Sequence, residues 1–234
     1  MQLIRSDIGT DLTGWEVVVG DGLYHAPGEQ PVNETDLSTN NLGADSLLVA
    51  NVSGRRIMAH NITFKRYIDT AAMNSYQEAS YKFQLPYAIS TANTNFNGQT
   101  VEGGLFIWDG LNTQLDYGLA FQWVINPWDP NYKAINIWIG TGWQYLTDLE
   151  PDVNFHSIGY KLDMNNQTAF LSIDGNEFSQ NVFSSTPKTG WGSEVASRFQ
   201  AETISIFPAS SGSVPRQEVK FKDWKWEWFV ANTI

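Results

Sequence analysis

Between Tyr76 and Tyr145, large aliphatic side chains recur at every second position, and rings and amides fill the positions between them. A period of two is that of a β-strand, whose successive side chains point to opposite faces. One set, Leu105/Ile107, Leu119/Phe121/Trp123/Ile125 and Ile135/Ile137/Ile139, is expected to face a core. The reverse set is Phe106/Trp108, Gln122/Asn126 and Asn136/Trp138. Elsewhere, short runs rich in Val, Ile, Phe, Tyr and Trp lie between clusters of Gly, Asn, Asp and Pro, and none keeps a helical period over three turns. The pattern predicts an all-β chain with strands at 14–19, 46–52, 62–67, 75–85, 103–108, 117–124, 134–139, 156–162, 168–173, 202–207 and 218–230.

Asp174-Gly175, following Phe170-Leu171-Ser172-Ile173, predicts a tight turn, because Gly tolerates the positive φ that such turns need. Two stretches do not read as strands. Residues 25–45 are polar and carry Pro27, Gly28, Pro31, Asn40, Asn41 and Gly43, which predicts a long loop serving as a lid or groove wall. Residues 179–199 are irregular around Trp191, with a short helix expected near Val195 to Gln200. No internal repeat or low-complexity linker divides the chain, so residues 1–234 are expected to form a single domain.

Composition narrows the partners. Aromatic residues make up 14 % of the chain and hydrophobic residues 42 %, too apolar for disorder and enough to fill one sizeable core. The net charge of -11 argues against nucleic acid, whose phosphates call for clustered Lys and Arg. It also favours neutral glycans over uronates, although Arg55-Arg56 with Lys65-Arg66 could hold a carboxylate locally. With no cysteine, disulfides, thiolate catalysis and Cys-based metal sites are excluded. No apolar run is long enough to span a membrane. The opening residues lack a signal-peptide layout, so a mature form or another export route is expected, in an extracellular or cell-surface setting.

The candidate chemistry lies on the expected polar faces. The strand 75–85 puts Ala79, Tyr81, Phe83 and Leu85 on one side and Glu78, Ser80, Lys82 and Gln84 on the other. Glu78 beside Lys82 could supply acid–base chemistry, and the alternative is a solvated sheet face. Asp109 is the second candidate acid, although Asp109-Gly110 also reads as a hairpin corner. Glu102 and Asp116 are further candidate acids, since glycoside hydrolysis ordinarily needs a carboxylate pair. Trp108, Trp138 and Trp143 offer rings on which a pyranose can stack, with core packing as the alternative and Trp143 placed on a rim. Lys82, Gln84, Gln122 and Asn136 complete one expected substrate-binding groove.

The alternation of Trp224, Trp226 and Trp228 with Asp223, Lys225 and Glu227 reads mainly as a half-buried strand with its indoles in the core. His25, His60 and His156 have no metal-ligand spacing, and His156 reads as a structural residue at a strand edge. No cofactor is implied. A structural calcium is compatible with the turn at Asp163, Asn165 and Asn166 but is not specified by any loop pattern. Serine-hydrolase and phosphate-loop signatures are absent.

The order of signals resembles the concanavalin A-like lectin/glucanase superfamily. The residues that carry the likeness are Asp11-Leu12-Thr13-Gly14-Trp15, Val101 to Asp109, Leu115 to Trp123, Phe155-His156-Ser157-Ile158, Leu171 to Gly175 and Val219 to Trp224. The resemblance implies a jelly roll, a sandwich of two antiparallel β-sheets, that binds or cleaves polysaccharides on one sheet. The Glu-x-Asp-x-Glu strand of laminarinase-type glucanases is missing, its nearest match being Glu150-Pro151-Asp152. The Arg-rich strand and Gln-x-His pattern of alginate lyases are missing as well. The expectation is a protein that processes an oligo- or polysaccharide, with a non-catalytic lectin or matrix protein as the alternative.

Overall fold

The computed structural model describes residues 1–8, 16–19, 37–41, 48–56, 62–68, 75–84, 100–108, 117–125, 129–139, 142–163, 166, 168–181, 183–184, 196–204 and 213–230. Their regular elements are all strands, paired antiparallel into two sheets of eight. Sheet I contains β1 (Gln2–Ile8), β3 (Leu37–Asn41), β4 (Leu48–Arg56), β6 (Ser75–Gln84), β11 (His156–Asp163), β12 (Thr168–Ile173), β13 (Asn176–Asn181) and β16 (Ser213–Val230). Sheet II contains β2 (Glu16–Val19), β5 (Ile62–Ile68), β7 (Thr100–Trp108), β8 (Tyr117–Val124), β9 (Ala134–Trp138), β10 (Trp143–Asp148), β14 (Phe183–Ser184) and β15 (Ala196–Ile204). Sheet I runs β13-β12-β11-β6-β16-β4-β3, with β1 also on β16, and sheet II runs β10-β9-β8-β7-β15-β5-β2, with β14 on β8.

The period-two pattern decides what each sheet buries. Leu119, Phe121, Trp123, Ile125, Leu105, Ile135 and Ile137 are all at most 2 % exposed, as expected of the core set. Sheet I meets them with Phe83, Tyr81, Ile158, Tyr160, Leu162, Leu171 and Ile173. The Phe83 ring lies edge-on to Trp123 at 5.6 Å, and Tyr160 tilts against Phe121 at 6.1 Å. Between them Gly103 of β7 leaves room for two hydroxyls, those of Tyr81 and Tyr160, which hydrogen-bond to each other at 3.1 Å. A Cβ at Gly103 would fall 2.3 Å from the Tyr160 oxygen and 2.6 Å from that of Tyr81.

The three C-terminal indoles are core: Trp224, Trp226 and Trp228 are all buried, and Trp226 Nε1 donates to the buried Gln77. Their strand slips register between Lys222 and Lys225, where Asp223 takes a left-handed φ of 54°. Asp tolerates that conformation better than most residues. Its exposed carboxylate then reaches Lys82 at 2.9 Å, beside the cross-strand pair Lys222 and Lys82.

Several expectations change. Residues 196–204 form strand β15, held between β7 and β5, where a short helix was expected near 195–200. Two ladder partners satisfy its backbone on both sides, which a local helical preference cannot match. Part of the segment 25–45, expected as one loop, is strand β3 on β4, and the rest lies outside the described residues. Ile139 is 44 % exposed instead of core, since it lies just past the end of β9. β1, β10, β13 and β14 were not anticipated. Asp174 and Gly175, with φ of 48° and 83°, make the expected tight turn, joining β12 to β13.

Candidate functional site

The expected groove does not exist as one surface. Glu78, Lys82 and Gln84 belong to β6, which pairs with β11 and β16 in sheet I. Gln122, Asn136, Trp138 and Trp143 belong to sheet II. The outward faces of the two sheets lie on opposite sides of the core, so these groups cannot close on one ligand. Glu78 accepts a hydrogen bond from the Tyr76 hydroxyl at 2.6 Å, Lys82 pairs with Asp223, and Gln84 donates to the Val153 carbonyl. Burial pushes the Tyr76 hydroxyl well above the usual range, and its bond to Glu78 and that carboxylate's charge add to the shift. Asp109, Asp116 and Asn126 lie outside the described residues, and of Trp108 only the β7 backbone is described.

The sheet II residues do come together. Cross-strand register aligns Glu102 of β7, Gln122 of β8, Asn136 of β9 and Tyr145 of β10 in one transverse row. Asn136 Nδ2 donates to Gln122 Oε1 at 3.3 Å, and Gln122 Nε2 donates to Glu102 Oε1 at 2.8 Å. A carboxylate accepts and does not donate when ionised, so Glu102 fixes both amides in one orientation. The relay ends with Asn136 Oδ1, an acceptor that takes no hydrogen bond from the described residues. Beside it, Trp138 is register partner of Trp143, and their rings meet edge to face at 5.4 Å. Trp143 is 39 % exposed and Tyr145 57 %, so two exposed rings and the half-buried Trp138 share the β9–β10 edge with Asn136, which is itself largely covered.

Trp143 sits on the rim as expected, but as the first residue of a strand instead of in a loop. Tyr145 was missed as a site residue because β10 was not recognised. The signal was there: Trp143 and Tyr145 are two positions apart, as strand neighbours on one face must be.

A second polar cluster lies where β11 begins. His156 is 6 % exposed and packs against Trp123 and Phe83. Its Nδ1 meets Asp174 Oδ2 at 2.8 Å and its Nε2 meets Asp152 Oδ1 at 3.1 Å. Both ring nitrogens must donate for both bonds to form. Burial pushes the Asp152 carboxyl upward, but donation from Asn154 and the nearby His156 outweigh it, and the net shift is below the usual range. Asp174 also accepts from the Ser157 amide at 2.8 Å. The imidazole thus pins the β12–β13 turn and the 149–155 segment to the core, the structural role expected of it.

Asp163 holds Asn166 through an amide and a side-chain hydrogen bond at 3.1 and 2.7 Å. No group of three or more His, Asp or Glu able to hold a metal ion occurs among the described residues. No helix among them is long and apolar enough to cross a membrane.

No family model and no curated protein matches this sequence. Solved structures do match. A family 7 alginate lyase determined with its product superposes with a TM-score of 0.57 at 12 % identity, over 93 % of this chain and 96 % of the enzyme. A Lotus tetragonolobus seed lectin gives 0.55 at 11 % identity, over 98 % of this chain and all of the lectin. A sialidase gives 0.52 at 12 % identity over 92 % of this chain, which spans 17 % of the sialidase. The chain has the concanavalin A-like jelly-roll fold. At these identities the likeness establishes the architecture and leaves the chemistry to the side chains.

Proposed function

We propose that the protein binds neutral oligo- or polysaccharides on the outward face of sheet II, at the edge formed by β9 and β10. The observation that carries this reading is the pairing of exposed rings with an oriented amide row. The exposed Trp143 and Tyr145 and the half-buried Trp138 line the edge beside Asn136, a largely covered amide that ends the oriented row. Pyranose rings present C–H faces to indoles and hydroxyls to amides and carboxylates, and both partners are present here. Lectin and polysaccharide-lyase neighbours on the same fold support it. We read residues 1–234 as one domain, and its acidic, cysteine-free composition suits an extracellular or cell-surface setting.

Turnover is the second reading, favoured by Glu102, whose carboxylate is held by Gln122 beside the same row. Glu78 lies on the other sheet and does not serve this face. A panel of neutral and acidic glycans, scored for binding and for release of new chain ends, separates the two. Retention without new ends, weakened by Trp143→Ala, is the expected result. Binding of the full panel unchanged by Trp143→Ala would sink the proposal, and new chain ends abolished by Glu102→Gln would establish the enzyme.

A further inference from the structure

Gly159 lies in the middle of β11, where glycine weakens a strand relative to alanine. Neither backbone nor packing calls for it. Among the described glycines only Gly175 has a positive φ, and a Cβ at Gly159 would meet nothing closer than Ser172 Cβ at 3.5 Å, an ordinary contact. The missing side chain leaves empty space on the outward face of sheet I.

That space has a distinct lining. Register places Lys225, Ser80, Gly159, Ser172 and Glu177 in one row across five strands: a cation, a hydroxyl, a gap, a hydroxyl and an anion. The adjoining row is Glu227, Glu78, Lys161 and Phe170. All of these except Glu227 border an open depression of about 260 Å³. Lys161 on β11 pairs with Glu177 on β13 across β12, and Lys225 pairs with Glu227, each at 2.7 Å, so the charged side chains of the lining are tied in ion pairs.

We infer that this depression is a second glycan site, for one neutral hexose-sized ring, on the side of the molecule opposite the β9–β10 edge. The serines and carboxylates receive hydroxyl hydrogens, the lysines donate to hydroxyl oxygens, and Phe170 offers a ring edge. The two carboxylates of the lining, Glu78 and Glu177, balance its two lysines, Lys161 and Lys225, so the depression carries no net positive charge to draw a uronate. With a site on each outward face, one molecule can bridge two glycan chains.

The test is the stoichiometry of binding. The intact protein is titrated calorimetrically with methyl glycosides of neutral hexoses, alongside Gly159→Val and Trp143→Ala variants. Two equivalents are expected for the unaltered protein, with one lost on each substitution. Gly159→Val fills open space on a strand and should leave the melting temperature unchanged or raised, so lost binding there is not lost folding. A single equivalent removed by Trp143→Ala, or no binding at all, overturns the inference. A single equivalent removed only by Gly159→Val keeps it and sinks the sheet II proposal instead.

Discussion

At Gly103 a missing side chain sets how closely two tyrosines of sheet I approach sheet II. Gly103→Ala would drive a methyl into the paired hydroxyls of Tyr81 and Tyr160, and overpacking of that kind costs about 1–3 kcal/mol. A urea titration should show the midpoint falling, and combining it with Tyr160→Phe should recover part of the loss. His156 and its two carboxylates carry a second expectation. The Asp152 carboxyl is held below its ordinary value, so it contributes stability that is complete above about pH 4 and is lost as pH falls through its lowered folded value. Because Asp152 is 41 % exposed, the effect is partly screened. Asp152→Asn should therefore be less stable than the unaltered protein at neutral pH and should lose stability less steeply below pH 4. Parallel slopes for the two proteins in acid denaturation would contradict that assignment.

At the scale of elements, the β12–β13 turn shows how a local signal carries through. Asp174 and Gly175 both take left-handed φ, a conformation costing about 1–2 kcal/mol for most residues, so Gly175→Ala should destabilise by that amount in thermal unfolding. The faces of β6, β8 and β9 could be read from the sequence for the same kind of reason, since period two depends only on neighbours in the chain. Partnership does not. Nothing in Ser75–Gln84 says whether its neighbour is β7 or β11, and that choice decided which side of the molecule Glu78, Lys82 and Gln84 occupy. β10 escaped notice because an edge strand buries little, and the alternation in Trp-Gln-Tyr-Leu-Thr-Asp extends over only Trp143 and Tyr145. β15 was misread in part because Ser-Arg-Phe-Gln-Ala-Glu carries no strong preference, and its two neighbours decide its form.

For the whole molecule, the proposed recognition uses amides and rings with little formal charge, so affinity for a neutral glycan should change less than about twofold between low and high salt. A steep decline would indicate a charged ligand instead. The connectivity of β16 has a consequence for how the protein is made. Ser213–Val230 bonds to β1, β4 and β6 together, segments that leave the ribosome well before it. Until that stretch emerges, three ribbons wait with unfilled edges, the situation in which nascent chains call on chaperones. A polypeptide stopped at residue 212 should therefore be recovered as inclusion bodies, and soluble, cooperatively melting material would show that sheet I can close without its keystone.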